Sequence, residues 1–263
     1  MTKNGIFRFF AKPINFKFPI SLRSLRLNFS MEKGIEKTRG DFFPLLDLPD
    51  LSAGKPVRRV LIAGSRPEGL TVYLSAFAAV HGFEVLVADG ANAFDPYIVS
   101  RFARKEGLPP DELLKKIWIA RAFTCHQLAT LVRERLETRA SDEKASLVVL
   151  LGPCTLFSDE DVPGEEAALL FRKMLASVRK MSQRGIFFLM SQSFSKANQN
   201  RGFLLRELAG LAHAVLKLKA EAETLRVVMD KPPMALRRPW GVFEEFKKLT
   251  QSNQLSAVSD QQF

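Results

Sequence analysis

Five short, unbroken apolar runs constrain the fold: Arg59-Val-Leu-Ile-Ala63, Glu84-Val-Leu-Val-Ala88, Ile117-Trp-Ile-Ala120, Leu147-Val-Val-Leu-Leu151 and Ile186-Phe-Phe-Leu-Met190. Runs this short, rich in Val, Ile and Leu and lacking polar alternation, are expected of strands buried on both faces of a parallel sheet. Helical periodicity fills the gaps between them. The clearest case puts Ala167, Leu170, Phe171, Met174, Val178 and Met181 on one face, with Arg172, Lys173, Arg179 and Lys180 elsewhere. Strand, helix and strand repeated in this way imply right-handed crossovers, hence an α/β fold with a mostly parallel sheet flanked by helices. The pattern then changes. His213-Ala-Val-Leu-Lys-Leu-Lys219 and Leu225-Arg-Val-Val-Met229, across a polar link at 220–224, read as a C-terminal antiparallel hairpin at one sheet edge. A short amphipathic helix is expected after Pro239, followed by a polar tail. The chain therefore divides into an arm and lead-in over 1–54, one domain over 55–235, and a helix and tail over 236–263.

Charge enters through its distribution. The net charge is +11, of which +6 comes from Lys3, Arg8, Lys12, Lys17, Arg23 and Arg26 in a stretch (1–30) with no acid. The same stretch holds Phe7, Phe9, Phe10, Phe16, Phe18 and Phe29. Three readings stay open: an arm that stacks on and neutralises nucleic acid, a targeting-like amphipathic segment, or an upstream extension with the functional start at Met31. The rest of the chain is only mildly basic. No apolar run approaches the roughly 20 residues of a membrane helix, so no membrane span is expected. Two cysteines cannot staple a chain of this size, and reduced thiols suit a cytoplasmic location.

Ligands of open parallel sheets sit outside the carboxyl ends of the strands, which directs attention to the segments after each run. The first is Gly64-Ser65-Arg66-Pro-Glu-Gly69-Leu70-Thr71. It has the spacing of the phosphate loop G-x4-G-K-[ST] with leucine in place of lysine. Backbone N–H groups there could hold a phosphate, and Thr71 could reach a metal, so weak ATP or Mg²⁺ binding is compatible with it. A plain strand-to-helix turn that keeps two glycines is the competing reading. Asp89, His126 and Gln192 also stand at strand ends, with Cys125 and Cys154 nearby. A thiol or metal site built from the cysteines and His126 lacks paired-cysteine spacing, so two buried small hydrophobes and no metal are expected. Thr124 and Gln127 have capping-box spacing and place His126 in the first turn of a helix.

Taken in order, these pieces resemble the RecA/RadA-like recombinase ATPase core, a P-loop NTPase fold. The resemblance covers about residues 55–233: a degenerate Walker A loop, a turn carrying Phe94 and Pro96, the Ala120-Arg-Ala-Phe…His126-Gln junction, a Walker B strand, a strand ending in Gln192, and a hairpin ending in Asp230-Lys-Pro232. The resemblance also implies what is missing. The Walker A lysine is Leu70, the water-activating glutamate falls on Ala91, and the Mg²⁺-ordering acid falls on Gly152. Charge stabilisation dominates phosphoryl transfer, so the loss of all three argues against an NTPase. In the family the equivalent of Gln192 couples nucleotide state to a DNA-binding loop, here 193–202, with Phe194, Lys196, Asn198 and Arg201 as contact candidates; a plain surface loop competes. Arg237, Arg238, Lys247 and Lys248 are diluted by Glu244 and Glu245 and read as a solvated face. The expected function is that of a catalytically degenerate paralogue acting in DNA recombination or repair, with single-stranded DNA or a RecA-family recombinase as partner. A homo-oligomer is compatible with it. The alternative is a protein-interaction or regulatory module of the same fold with no nucleotide or DNA role.

Overall fold

Each apolar run becomes a strand because a run without alternation is satisfied only where both faces are covered. In the computed structural model, which describes residues 57–142, 147–194, 201–221, 224–231 and 243–250, the strands are β1 (Arg59–Gly64), β2 (Val85–Asp89), β3 (Ile117–Arg121), β4 (Leu147–Leu151), β5 (Phe187–Ser193), β6 (Ala214–Glu221) and β7 (Thr224–Lys231). They form one sheet in the order β3-β2-β4-β5-β1-β6-β7. All neighbours are parallel except the closing β6–β7 hairpin, whose register pairs Leu216 with Met229 and Leu218 with Val227. The α/β class, the mostly parallel sheet and the terminal hairpin all agree with the sequence pattern.

The helices are α1 (Pro67–Val80), α2 (Pro96–Lys105), α3 (Pro110–Leu114), α4 (Cys125–Thr130), which runs through a π-helical stretch (Leu131–Leu136) into α5 (Glu137–Asp142), then α6 (Gly164–Gln183), α7 (Gly202–Leu211) and α8 (243–250). Their starts follow local chemistry. Proline stands at the first positions of α1, α2 and α3, where its missing N–H costs nothing. The side chain of Asp95 caps α2 by accepting from the N–H of Tyr97 at 2.8 Å. Thr124 caps α4 by accepting from Gln127 N–H at 3.1 Å, while Gln127 reaches back to the N–H of Phe123 at 2.9 Å. Glu165 and Glu166 open α6 and Lys180 closes it, each charge matched to the helix dipole.

Alternate residues of each strand feed two cores. Val60, Ile62, Val149 and Leu151 meet α1, α2, α3 and Phe243 and Phe246 of α8 on one face. Leu61, Ala63, Val148 and Leu150 meet α4, α6 and α7 on the other. Ala167, Phe171, Met174, Val178 and Met181 of α6 are fully buried there, each large side chain contributing about 1.5–3 kcal/mol.

One expectation needs correction. β3 is not buried on both faces: it is the sheet edge, paired with β2 alone among the described strands, and Trp118 and Ile119 remain 43% and 42% exposed. β5 also runs farther than expected, so Gln192 and Ser193 lie within the strand. The readings on 1–54, on Arg237 and Arg238 and on the tail fall outside the described residues. Among the described residues no helix is long and apolar enough to cross a membrane.

Candidate functional site

The carboxyl ends of β1, β4 and β5 come together where a phosphate would sit in the expected fold. The Gly64–Thr71 segment is not a cradle. Only Ser65 and Arg66 separate β1 from α1, because Pro67 starts the helix at once. Gly69 and Leu70 are consequently helical, Leu70 is fully buried, and Gly69 faces Phe246 and Ile98. Thr71 is buried with its hydroxyl donating to Pro67 C=O at 2.9 Å, so it points into its own helix and away from any metal. Gly64 (φ +123°) runs against β6 so closely that a Cβ would stand 2.1 Å from the carbonyl oxygen of Leu218, and Ser65 N–H donates to that same oxygen. Arg66 is exposed with left-handed backbone, φ 48°.

The turns after β2 and β4 pack closely at Gly152. Gly152 has φ +59°, and a Cβ on it would lie 2.4 Å from Cβ of Ala91 and 2.7 Å from Oγ1 of Thr155. The two positions that carry the catalytic carboxylates in the resembled family therefore touch each other through their smallness. A side chain on Gly152 would have to separate the turns after β2 and β4.

The remaining strand-end groups are engaged in holding turns. Buried Asp89 accepts from the N–H groups of Ala91 (3.3 Å), Ala93 (3.0 Å) and Phe94 (3.0 Å), and Arg121 stands 3.4 Å from it. Gln192 accepts from Cys154 N–H at 2.8 Å and donates to Thr155 Oγ1 and Ser193 C=O. His126 is half exposed and pairs Nε2 with Glu166 Oε1 at 2.9 Å. Among the described residues no hydrogen bond joins Asp89, His126 and Gln192 to one another. Cys125 lies 3.5 Å from His126 Nδ1, but burial raises the pKa of its thiol and of the Cys154 thiol alike. A raised thiol is a poor nucleophile at neutral pH. No group of three metal-ligating side chains occurs among the described residues.

On the loop after β5, Phe194 is 54% exposed. Lys196 and Asn198 lie outside the described residues. Arg201 is not a free cation: its two terminal nitrogens donate to the carbonyls of Phe157 and Val162, each at 2.6 Å. It clamps the start of α7 to the segment after β4, where Asp159, Glu160, Asp161, Glu165 and Glu166 stand without a base between them.

Sequence reasoning missed Glu68. It stands in the first turn of α1, only 9% exposed, and accepts a hydrogen bond from the Ser193 hydroxyl. Proline at the first helical position was the signal, since it moves the helix start ahead of the second glycine. No protein-family model matches the sequence.

Proposed function

We propose that this chain is a RecA-like binding protein whose nucleotide site is closed, acting in DNA recombination or repair by binding single-stranded DNA or a recombinase. The observation that supports the loss of turnover is the contact between Gly152 and Ala91, which leaves no room for a carboxylate side chain at Gly152. The binding half of the reading rests on the order of motifs over 55–233 and on exposed Phe194, an aromatic of the kind on which bases stack. Calorimetric titration tests both halves. ATP with Mg²⁺ gives no heat of binding, whereas a short single-stranded oligonucleotide binds at low salt and weakens as salt rises. Tight ATP binding would overturn the first half, and no oligonucleotide binding the DNA half.

A second reading, a protein-interaction module without a nucleic-acid role, is favoured by the β3 edge. Trp118 and Ile119 on that strand and Phe123 just after it are large apolar side chains left exposed. An unpaired strand edge of this character suits contact with another protein. Protein that fails to bind the oligonucleotide but self-associates in sedimentation through Ile119 would select this reading.

A further inference from the structure

The first turn of a helix presents unpaired N–H groups and favours negative charge, which is why phosphates bind there. In this chain the turn of α1 carries its own anion. The carboxylate of Glu68 is nine-tenths buried and takes the hydroxyl proton of Ser193, the last residue of β5, in a hydrogen bond. One residue on, Phe194 N–H donates to Gly64 C=O at 3.1 Å. From the other side, Gln192 is held to Cys154 and Thr155 after β4. The end of β5 is thus fixed by α1, β1 and the β4 turn together, and the exposed ring of Phe194 projects from it.

We propose that Glu68 is a positioning residue that sets the end of β5 and the presentation of Phe194 without nucleotide. The consequence for binding rests on the DNA reading given above; the geometry does not. A hydrogen bond to a carboxylate is stronger than one between neutral groups. The Glu68→Gln substitution would keep an acceptor oxygen for the hydroxyl but lose the charge that favours the helix terminus.

Amide hydrogen exchange at Phe194 in the full chain tests this, with Phe188 as internal control because its N–H donates to Arg58 C=O in the body of the sheet. Glu68→Ala and Ser193→Ala each speed exchange at Phe194 by about tenfold, the size of one hydrogen bond to a charged group. The double variant exchanges no faster than either single one, Glu68→Gln falls between Glu68→Ala and wild type, and Phe188 is unmoved. Wild-type exchange is unchanged by ATP with Mg²⁺ or by inorganic phosphate. Ser193→Ala within about twofold of wild type, additive effects in the double variant, or slowing by phosphate would overturn the proposal. Oligonucleotide binding is followed on the same samples. Wild type that binds none while exchange behaves as stated refutes the DNA reading alone; binding with exchange indifferent to Glu68 refutes the positioning role alone.

Discussion

β4 and β3 look alike as sequence and behave differently as structure. Leu147-Val-Val-Leu-Leu151 and Ile117-Trp-Ile-Ala120 are both short, unbroken apolar runs. β4 lies between β2 and β5 with every residue buried, while β3 has β2 on one side and leaves Trp118 and Ile119 half exposed. Hydrophobicity reports that a strand is wanted; only the strand order says how many neighbours it will have. At the centre, packing also reaches into the chemistry. The turns after β2 and β4 close on each other at Gly152 and Ala91, so the strand ends are packed as tightly as the core. At the edge, among the described residues, no second strand pairs with β3. Arg139 stacks over Trp118, 3.7 Å from the ring centre, and covers part of that face.

The sharpest way to break this comparison is Gly152→Asp, the change that restores the acid of the resembled family. It adds a Cβ 2.4 Å from that of Ala91, forces a side chain onto a left-handed backbone, and buries a carboxylate. Steric overlap and an unpaired buried charge together place the cost above about 4 kcal/mol. The expected result is a chain unfolded or severely destabilised in chemical denaturation, with no gain of ATPase. A variant as stable as wild type would show that the turns after β2 and β4 can part and that the site is only nominally closed.

The next effect contrasts the two strands directly. Leu150→Ala in β4 removes a fully buried side chain between β2 and β5, and cavity formation costs about 2–5 kcal/mol. Ile119→Ala in β3 removes one that is already 42% exposed, and about 1 kcal/mol is expected from the area it buries. Urea midpoints at constant slope measure both. Equal costs would mean that β3 is covered in solution, which sedimentation of the same samples would reveal as self-association.

Much of the fold was legible because period-2 and period-3.6 patterns record burial directly. All five runs are strands, the 213–229 region is a hairpin, and the apolar face of α6 is the one named from Ala167 to Met181. The site was legible by position but not by role. Asp89 and Gln192 do stand at strand ends, yet each spends its hydrogen bonds on a neighbouring turn. Spacing cannot show where a side chain finds its partner. Arg201 and Glu68 illustrate the same limit: one is a cation whose donors go to two carbonyls 39 and 44 residues away, the other a carboxylate bonded 125 residues away. Of the two readings of Gly64 to Thr71, the helix start at Pro67 favours the plain strand-to-helix turn, because a motif counts residues while Pro67 decides where the helix begins.

The smallest effect sharpens the contrast at the opposite ends of the strands. At the amino end of β3, Lys115 and Lys116 are exposed. At the amino ends of β1 and β6, His213 is set among cations. Its Nδ1 accepts from Arg58 N–H at 3.1 Å, and its Nε2 lies 2.5 Å from a terminal nitrogen of Arg59. Arg59 in turn donates to Leu211 C=O and the Ser182 hydroxyl, so it cannot easily turn away. Burial first, then the charges of Arg59, Lys231 and Arg58, push the pKa of His213 below 6.5. The unfolded chain therefore binds more protons than the folded one just below that value, and stability must rise with pH there. His213 contributes stability that is complete above about pH 6.5 and declines as pH falls toward the lower folded value. Glu137 and Glu245 have depressed folded pKa values, Glu245 about 2, so their contributions fade only below the ordinary carboxylate range near 4.5. Between about pH 5 and 6.5 these carboxylates contribute little, and the difference between wild type and His213→Gln isolates this histidine from His81 and His126. Urea titrations across that interval should show wild-type stability declining as pH falls, with a slope that His213→Gln lessens and Lys116→Gln leaves alone. A slope that His213→Gln leaves unchanged would mean that the imidazole turns out to solvent and that the amino end of the central strands is as open as the edge.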